Sequence, residues 1–187
     1  NGFRGAANVL ASISPADLLA RERELEFLWR RGRSNALSKE ELRRDTIWDA
    51  AATVDPGSWT RRLIPDLSAW CTRDFGEVDF HLTQFLSGHG CFGHYLCRIK
   101  KVEQPNCVDC NDSLDNAEHA ILKCDRWWPA RRELEVLLSI DLTAETIVMT
   151  MPKSRSHWAA ITNFVHRILS TREEEEQGRQ RIAAAAL

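Results

Sequence analysis

The sequence predicts an all-α protein, a multi-helix assembly with a small irregular insert near residues 105–124. Three observations predict it. Helix caps and chain breakers punctuate the sequence at helical lengths. No sustained period-two alternation appears, and no Asn-Gly hairpin turn sits between apolar runs. Apolar residues make up 43% of 187 positions and include seven Trp, enough to bury a core.

The elements follow in order. Ser14-Pro15 reads as an N-cap followed by a first-turn proline, with Asp17 close behind. The helix it opens carries Leu18, Leu19, Leu25, Phe27, Leu28 and Trp29 and ends near Gly32. Ser38-Lys39-Glu40-Glu41 is a capping box that starts a helix through Leu42, Ile47, Trp48 and Ala51. Pro65-Asp66 opens a short helix bearing Leu67 and Trp70. Val78 to Leu86 is apolar-rich and stops at Gly88, and Cys91 to Ile99 forms another short helix. Pro129 to Leu138 places Leu134, Leu137 and Leu138 on one side. Ser154 or Ser156 caps a last helix through Trp158, Ile161, Val165 and Leu169, which frays at Glu173-Glu174-Glu175-Glu176.

Composition excludes several classes. Nine Gly and six Pro rule out collagen-like and low-complexity chains. The apolar runs fall far short of the roughly 20 residues that a membrane helix needs, so no membrane partner is expected. Lys+Arg 25 against Asp+Glu 27 is not a bulk polycation. Basic residues do cluster, at Arg98, Lys100 and Lys101 and again at Lys123, Arg126, Arg131 and Arg132, where each cluster also fits a solvated helix face. The chain opens on Asn-Gly-Phe-Arg with no secretory signal, and reads as a piece of something longer.

The six cysteines point to a metal more than to disulfides. Five fall between Cys91 and Cys124, in a chain without a secretory signal. Cys107, Cys110, His119 and Cys124 form the pattern C-x2-C-x8-H-x4-C. Two intervening residues let both sulfurs of a Cys pair reach one ion, and four protein ligands make a closed, structural Zn2+ site. Asn111-Asp112-Ser113 supplies turn chemistry, and Asn116 can cap a short helix carrying His119. Cys124 lies five residues beyond His119, so the helix must end or distort for its sulfur to reach the metal. Cys91, His94 and Cys97 form a rival set on one helix side, read as packing residues. Histidines 81, 89, 157 and 166 read as capping or core residues.

No catalytic constellation stands out. The chain has no Asp-Asp pair, no phosphate-binding G-x-x-x-x-G-K-[ST] loop, no G-x-S-x-G elbow and no H-E-x-x-H. Asp66 and Asp79 mimic the carboxylate spacing of a nuclease, but no acidic-x-Lys follows and the setting reads helical. This chain by itself is therefore expected not to be an enzyme.

One longer phrase adds to this reading. Gly57-Ser58-Trp59-Thr60-Arg61-Arg62-Leu63-Ile64-Pro65-Asp66-Leu67 is followed by Phe80-His81-Leu82-Thr83-Gln84-Phe85-Leu86-Ser87-Gly88-His89-Gly90-Cys91-Phe92. The C-x2-C pair, Ala117-Glu118-His119 and Cys124 with Trp127 come after. Together they resemble the region C-terminal to the reverse transcriptase in LINE-type (non-LTR) retrotransposon polyproteins, the insect clade that inserts into ribosomal DNA. The resemblance spans about residues 8–170. It implies a parent RNA-directed DNA polymerase with an endonuclease, an upstream polymerase domain as partner, and residence in nucleus and cytoplasm. It also implies that the CCHC knuckle helps hold template RNA or target DNA. Residues 1–104 would then be the helical segment after the polymerase thumb, 105–128 the knuckle, and 129–187 the C-terminal helices. Nucleic-acid contacts are expected at Arg98, Lys100, Lys101, Lys123, Arg126, Trp128, Arg131 and Arg132, with Trp127 in the core. The alternative is a zinc-stabilised structural or protein-interaction module.

Overall fold

The computed structural model describes residues 23, 24, 26–32, 59–66, 69, 70, 73–110 and 114–185. The Ser14-Pro15 start, the Ser38 capping box with its helix, Leu67, Cys71 and the Asn111–Ser113 turn lie outside them. The described residues are mostly helical and include no strand, as an all-α protein requires. The chain divides into two compact units, Asn1–Asp74 and Phe75–Leu187.

In the first unit, residues 26–30 are helical, and the chain turns out of the helix at Gly32 (φ 65°) as its N–H donates to Trp29 O at 2.9 Å. Phe27 and Trp29 are exposed, whereas Leu28 is half-buried. Helix α1 (Trp59–Leu63) buries Leu63, and Ile64 and Trp70 are buried beyond it. Asp66 Oδ1 accepts from Ala69 N–H at 2.9 Å, the capping contact that opens the expected turn.

The second unit is organised by a long C-terminal helix. Helix α2 (Phe80–Ser87) starts where Asp79 Oδ1 accepts from Leu82 N–H at 2.8 Å. It ends at Gly88, whose φ of 69° turns the chain away as its N–H donates to Phe85 O. Gln84 reaches across that turn and accepts from Cys91 N–H at 3.4 Å. Helix α3 (Gly93–Arg98) follows. Gly93 is packed tightly: a methyl group there would lie 3.0 Å from Pro105 O and 3.1 Å from Asn106 O, so the loop's approach depends on the missing side chain.

Helix α4 (Trp128–Leu138) buries Ala130 and Leu134. Leu137 does not share that face as the sequence led us to expect; it is 69% exposed, with Val136 at 72%, while Leu138 is half-buried. The buried side of α4 carries Ala130, Arg131 and Leu134 instead. Helix α5 (Ala144–Thr150), unanticipated from the sequence, is opened by Thr143, and a 3-10 turn, Met151–Lys153, links it to α6 (Arg155–Ala185). Ser154 is the α6 cap, its Oγ accepting from His157 N–H at 3.1 Å.

Helix α6 packs on α2, α4 and α5. Its buried residues are Trp158, Ile161, Phe164, Val165, Ile168, Leu169 and Arg172, a stripe at three- and four-residue steps. The fraying expected at Glu173–Glu176 does not occur, for α6 continues to Ala185. Three of these glutamates have partners: Glu173 meets His81, Glu175 meets Arg126, and Glu176 meets Arg179. No described helix is long and apolar enough to cross a membrane.

Candidate metal centre

Four side chains converge in the second unit. The ligand atoms of Cys107, Cys110, His119 and Cys124 all lie within 4.8 Å of one another. Cys107 Sγ and Cys124 Sγ are 3.8 Å apart, and Cys110 Sγ is 3.3 Å from His119 Nε2. A tetrahedral zinc with bonds of about 2.3 Å would hold two sulfurs about 3.8 Å apart. The sulfur pair therefore has the spacing of two ligands on one ion, well beyond a disulfide bond. The five described cysteines are unbridged. The cluster is compatible with zinc binding.

Local structure explains the convergence. Cys107 and Cys110 flank a turn, whose approach to α3 is set by backbone contacts: Asp115 N–H donates to Pro105 O at 2.8 Å, and His94 N–H donates to Asp115 O at 2.9 Å. Asn116 Oδ1 accepts from His119 N–H at 2.8 Å, capping the turn that carries the histidine. Residues His119–Lys123 then form a π-helical turn, and Cys124 N–H donates to His119 O at 2.7 Å. This wider closure brings Cys124, five positions on, back over His119, which a tighter α-helix cannot do. Cys124 then leaves the helix in an extended conformation (φ −56°, ψ 127°). The required distortion is thus a π turn followed by a stop.

Charge around the cluster is ordered by α6. Arg172 is 7% exposed at its side chain and pairs with the buried Asp115 carboxylate, whose Oδ2 also accepts from Gly93 N–H at 2.7 Å. Arg172 Nη1 lies 3.7 Å from Asp109 Oδ2, and its Nε donates to Cys91 O at 3.2 Å. Cys91 Sγ donates back to Arg172 O at 3.3 Å, and burial pushes that thiol up to about 11. Burial, with the neighbouring Cys107 sulfur, pushes the Cys124 thiol up to about 12. Such a thiol keeps its proton unless a metal replaces it.

The rival set does not converge in this way. Among the described residues Cys91, His94 and Cys97 make no such cluster. His94 is exposed, and Cys97 Sγ donates to Glu103 O at 3.5 Å. His81 pairs with Glu173 at 3.2 Å and packs edge-on against His166, with 4.3 Å between ring centroids.

The basic residues expected to meet nucleic acid separate into two groups. Arg98, Lys100, Lys101, Lys123 and Arg132 are exposed, and Trp128 is 58% exposed. Lys123 pairs with Glu118 at 3.0 Å and Arg132 with Glu135 at 2.6 Å. Arg126 and Arg131 are engaged by the protein's own groups, Arg126 at the surface and Arg131 in the interior. Arg126 binds Asp109 at 2.8 Å and grips both oxygens of Glu175. Arg131 is 7% exposed and donates to Lys123 O at 3.3 Å, and burial lowers its pKa from the ordinary guanidinium value. Trp127 is buried beside the cluster, with the Arg126 guanidinium 4.6 Å from its ring centroid. Sequence reasoning missed Asp115 and Arg172, since an Asp and an Arg 57 positions apart carry no local signal of pairing.

No protein-family model matches this chain, and comparison with curated proteins and with solved structures finds no match.

Proposed function

We propose that this chain is a zinc-stapled, nucleic-acid-binding accessory region of a retrotransposon RNA-directed DNA polymerase, helping hold template RNA or target DNA. One Zn2+ sits in a CCHC knuckle on Cys107, Cys110, His119 and Cys124, as a structural ion with no open coordination position. The observation that carries the reading is that closed donor set with exposed cations around it in sequence: Arg98, Lys100 and Lys101 before it, Lys123 just ahead of its last cysteine, and Arg132 after it. Trp128 offers a face on which an unpaired base can stack, worth roughly 1–3 kcal/mol. Arg126 and Arg131 fall outside the contact set because their guanidiniums already serve the fold. The chain itself is non-catalytic in this reading. Asp66 and Asp79, whose spacing mimics a nuclease pair, each cap a backbone N–H. The polymerase domain upstream is its partner in the nucleus and cytoplasm.

A second reading has its own support. Val136 and Leu137 are exposed side by side on α4, as a protein-interaction module would leave them. A gel-shift titration with structured RNA and with duplex DNA, repeated across salt concentrations, separates the two. The nucleic-acid reading expects binding that weakens steeply with salt, since each neutralised phosphate releases counterions. Lys100→Glu with Lys101→Glu should weaken it further and leave the melting temperature unchanged. Salt-insensitive binding, or binding indifferent to that double reversal and to Arg132→Glu, removes the nucleic-acid reading in favour of the interaction module.

A further inference from the structure

The C-terminal end of α6 is poorly equipped to be helical alone. Residues 173–176 are four consecutive glutamates, and Gly178 sits in the helix interior. A like-charge pair three residues apart, as Glu173 and Glu176 are, and an interior glycine both weaken a helix. Ile182 is 74% exposed, so the last turns contribute little burial there. A short helical segment without packing is marginal in water. Its order has to come from contacts with the body.

Those contacts lead to the metal loop. Up to Glu173 the helix has ties of other kinds, to His81 on α2 and to Cys91 beside α3. Beyond Glu173 its ion pair to another part of the unit is made by Glu175, while the Glu176 side chain is 12% exposed and pairs within the helix to Arg179. Arg126 donates from Nη1 to Glu175 Oε2 at 2.8 Å and from Nη2 to Oε1 at 2.6 Å. The same guanidinium donates to Asp109 Oδ1 at 2.8 Å. Asp109 lies between Cys107 and Cys110, and Arg126 lies two residues after Cys124. One side chain thus joins the first part of the ligand loop, the last part, and the helix end. Arg172 makes a parallel tie one turn earlier, to Asp109 and Asp115.

We propose that metal occupancy of the four-residue centre governs the order of residues 174–185, with Arg126 as the positioning residue. This rests on the reading of Cys107, Cys110, His119 and Cys124 as a metal site. With the ion bound, Asp109 and Arg126 are held at fixed separation and the Glu175 carboxylate finds a rigid partner. Without it the Cys107–Cys110 turn loses its anchor, Arg126 loses Asp109, and the helix end is released. Residues 158–169 stay ordered because their own apolar stripe packs on α2, α4 and α5. Coupling of this kind is reciprocal, so loosening the helix end must weaken metal binding by the same factor.

Hydrogen exchange with mass spectrometry on the full chain tests this, under reducing conditions, with one equivalent of zinc and again with excess chelator. Metal content is measured on the same samples. The expected result is retained zinc and exchange about tenfold faster in 107–124 and 174–185 after chelation, with 158–169 unchanged. Glu175→Gln, which removes a half-exposed carboxylate, should free 174–185 while zinc stays bound and 107–124 stays protected. It should also lower zinc affinity in competition with a chelating dye. Bound zinc with 174–185 equally protected, or equally unprotected, before and after chelation overturns the coupling alone. Loss of protection through 158–169 as well overturns it too, because the centre would then control the whole unit. A protein that retains no zinc overturns the metal reading, and the coupling with it.

Discussion

The indole of Trp158 fills the space that a side chain at Gly76 would need. A methyl group on Gly76 would lie 2.3 Å from Cδ2 of the ring and 2.4 Å from Cε2, and the backbone there has φ 83°. Both facts demand glycine, one through contact and the other through conformation. Trp158 is also met edge-on by Phe75, with 6.3 Å between centroids, so the ring cannot swing aside freely. Gly76→Ala should therefore cost about 2–4 kcal/mol, combining overpacking with a left-handed backbone. Denaturant unfolding monitored by tryptophan fluorescence checks it. A loss below about 0.5 kcal/mol would mean that the Gly76 segment moves independently of α6.

The Arg126–Glu175 pair makes a pH prediction whose sign is fixed. Hydrogen bonding to Arg126 holds the Glu175 carboxyl below its ordinary value. A depressed carboxylate contributes stability above its unfolded pKa and loses it as pH falls through the folded one. The contribution is therefore intact at neutral pH and fades in the acid range below about pH 4.5. Both side chains are about a third exposed, which limits the pair to about 0.5–1 kcal/mol despite its two-pronged geometry. A double-mutant cycle of Arg126→Ala and Glu175→Gln should give that coupling at pH 7 and a smaller one as pH falls through the acid range.

Much of this architecture was legible in local chemistry. Gly88 ends α2 and Ser154 starts α6 because a left-handed cap and an Oγ acceptor are needed at those points, and both residue types announce themselves. Asn116 capping the His119 turn, and the helix giving way before Cys124, followed from the demand that two ligands five residues apart reach one ion. Helix α5 was hidden because its capping box is built from Thr143 and Thr146, where the familiar pattern has Glu or Gln at the second position. The order of the α6 end was hidden for a different reason. Its ion pairs reach residues far away in sequence, Arg126 for Glu175 and Asp115 for Arg172, whereas the local run of glutamates argues for fraying. Arg131 was misjudged as a surface cation for the same cause: which side of α4 faces the turn at Lys123 is decided by tertiary packing.

Ser139 closes α4 in a left-handed conformation (φ 53°, ψ 44°). Ile140 N–H donates to Glu135 O at 3.2 Å, the long closure of a Schellman turn, in which Ser139 occupies the position that glycine favours. A residue with a side chain incurs a cost of about 1–2 kcal/mol there, which glycine avoids. Glycine also widens the unfolded ensemble, which offsets part of the gain. Ser139→Gly should accordingly raise stability by about 0.5–1 kcal/mol. A rise of a few degrees in melting temperature is the readout, and a fall would show that the Ser139 hydroxyl has a role in the turn.

Metal binding should be proton-linked in a direction set by Cys124. Burial pushes its thiol up to about 12, so at neutral pH the metal-free site carries a proton on that sulfur. A metal ligand has to be thiolate, and binding must expel this proton. Each unit of falling pH should then weaken apparent zinc affinity about tenfold on account of Cys124 alone. Zinc titrations in two buffers of different ionisation enthalpy would count the protons released, and a competition assay between pH 6 and 8 would give the slope. Cys124→Ser removes the sulfur and should flatten that slope by about one unit while weakening binding. His119→Ala removes a ligand without removing a thiol, so it should weaken binding and keep the Cys124 contribution. In both variants the 107–124 loop should become sensitive to protease, while α6 through Leu169 retains its helical signal because its core lies against α2, α4 and α5. An affinity independent of pH in the native chain would mean that Cys124 is not a ligand, despite lying 3.8 Å from Cys107.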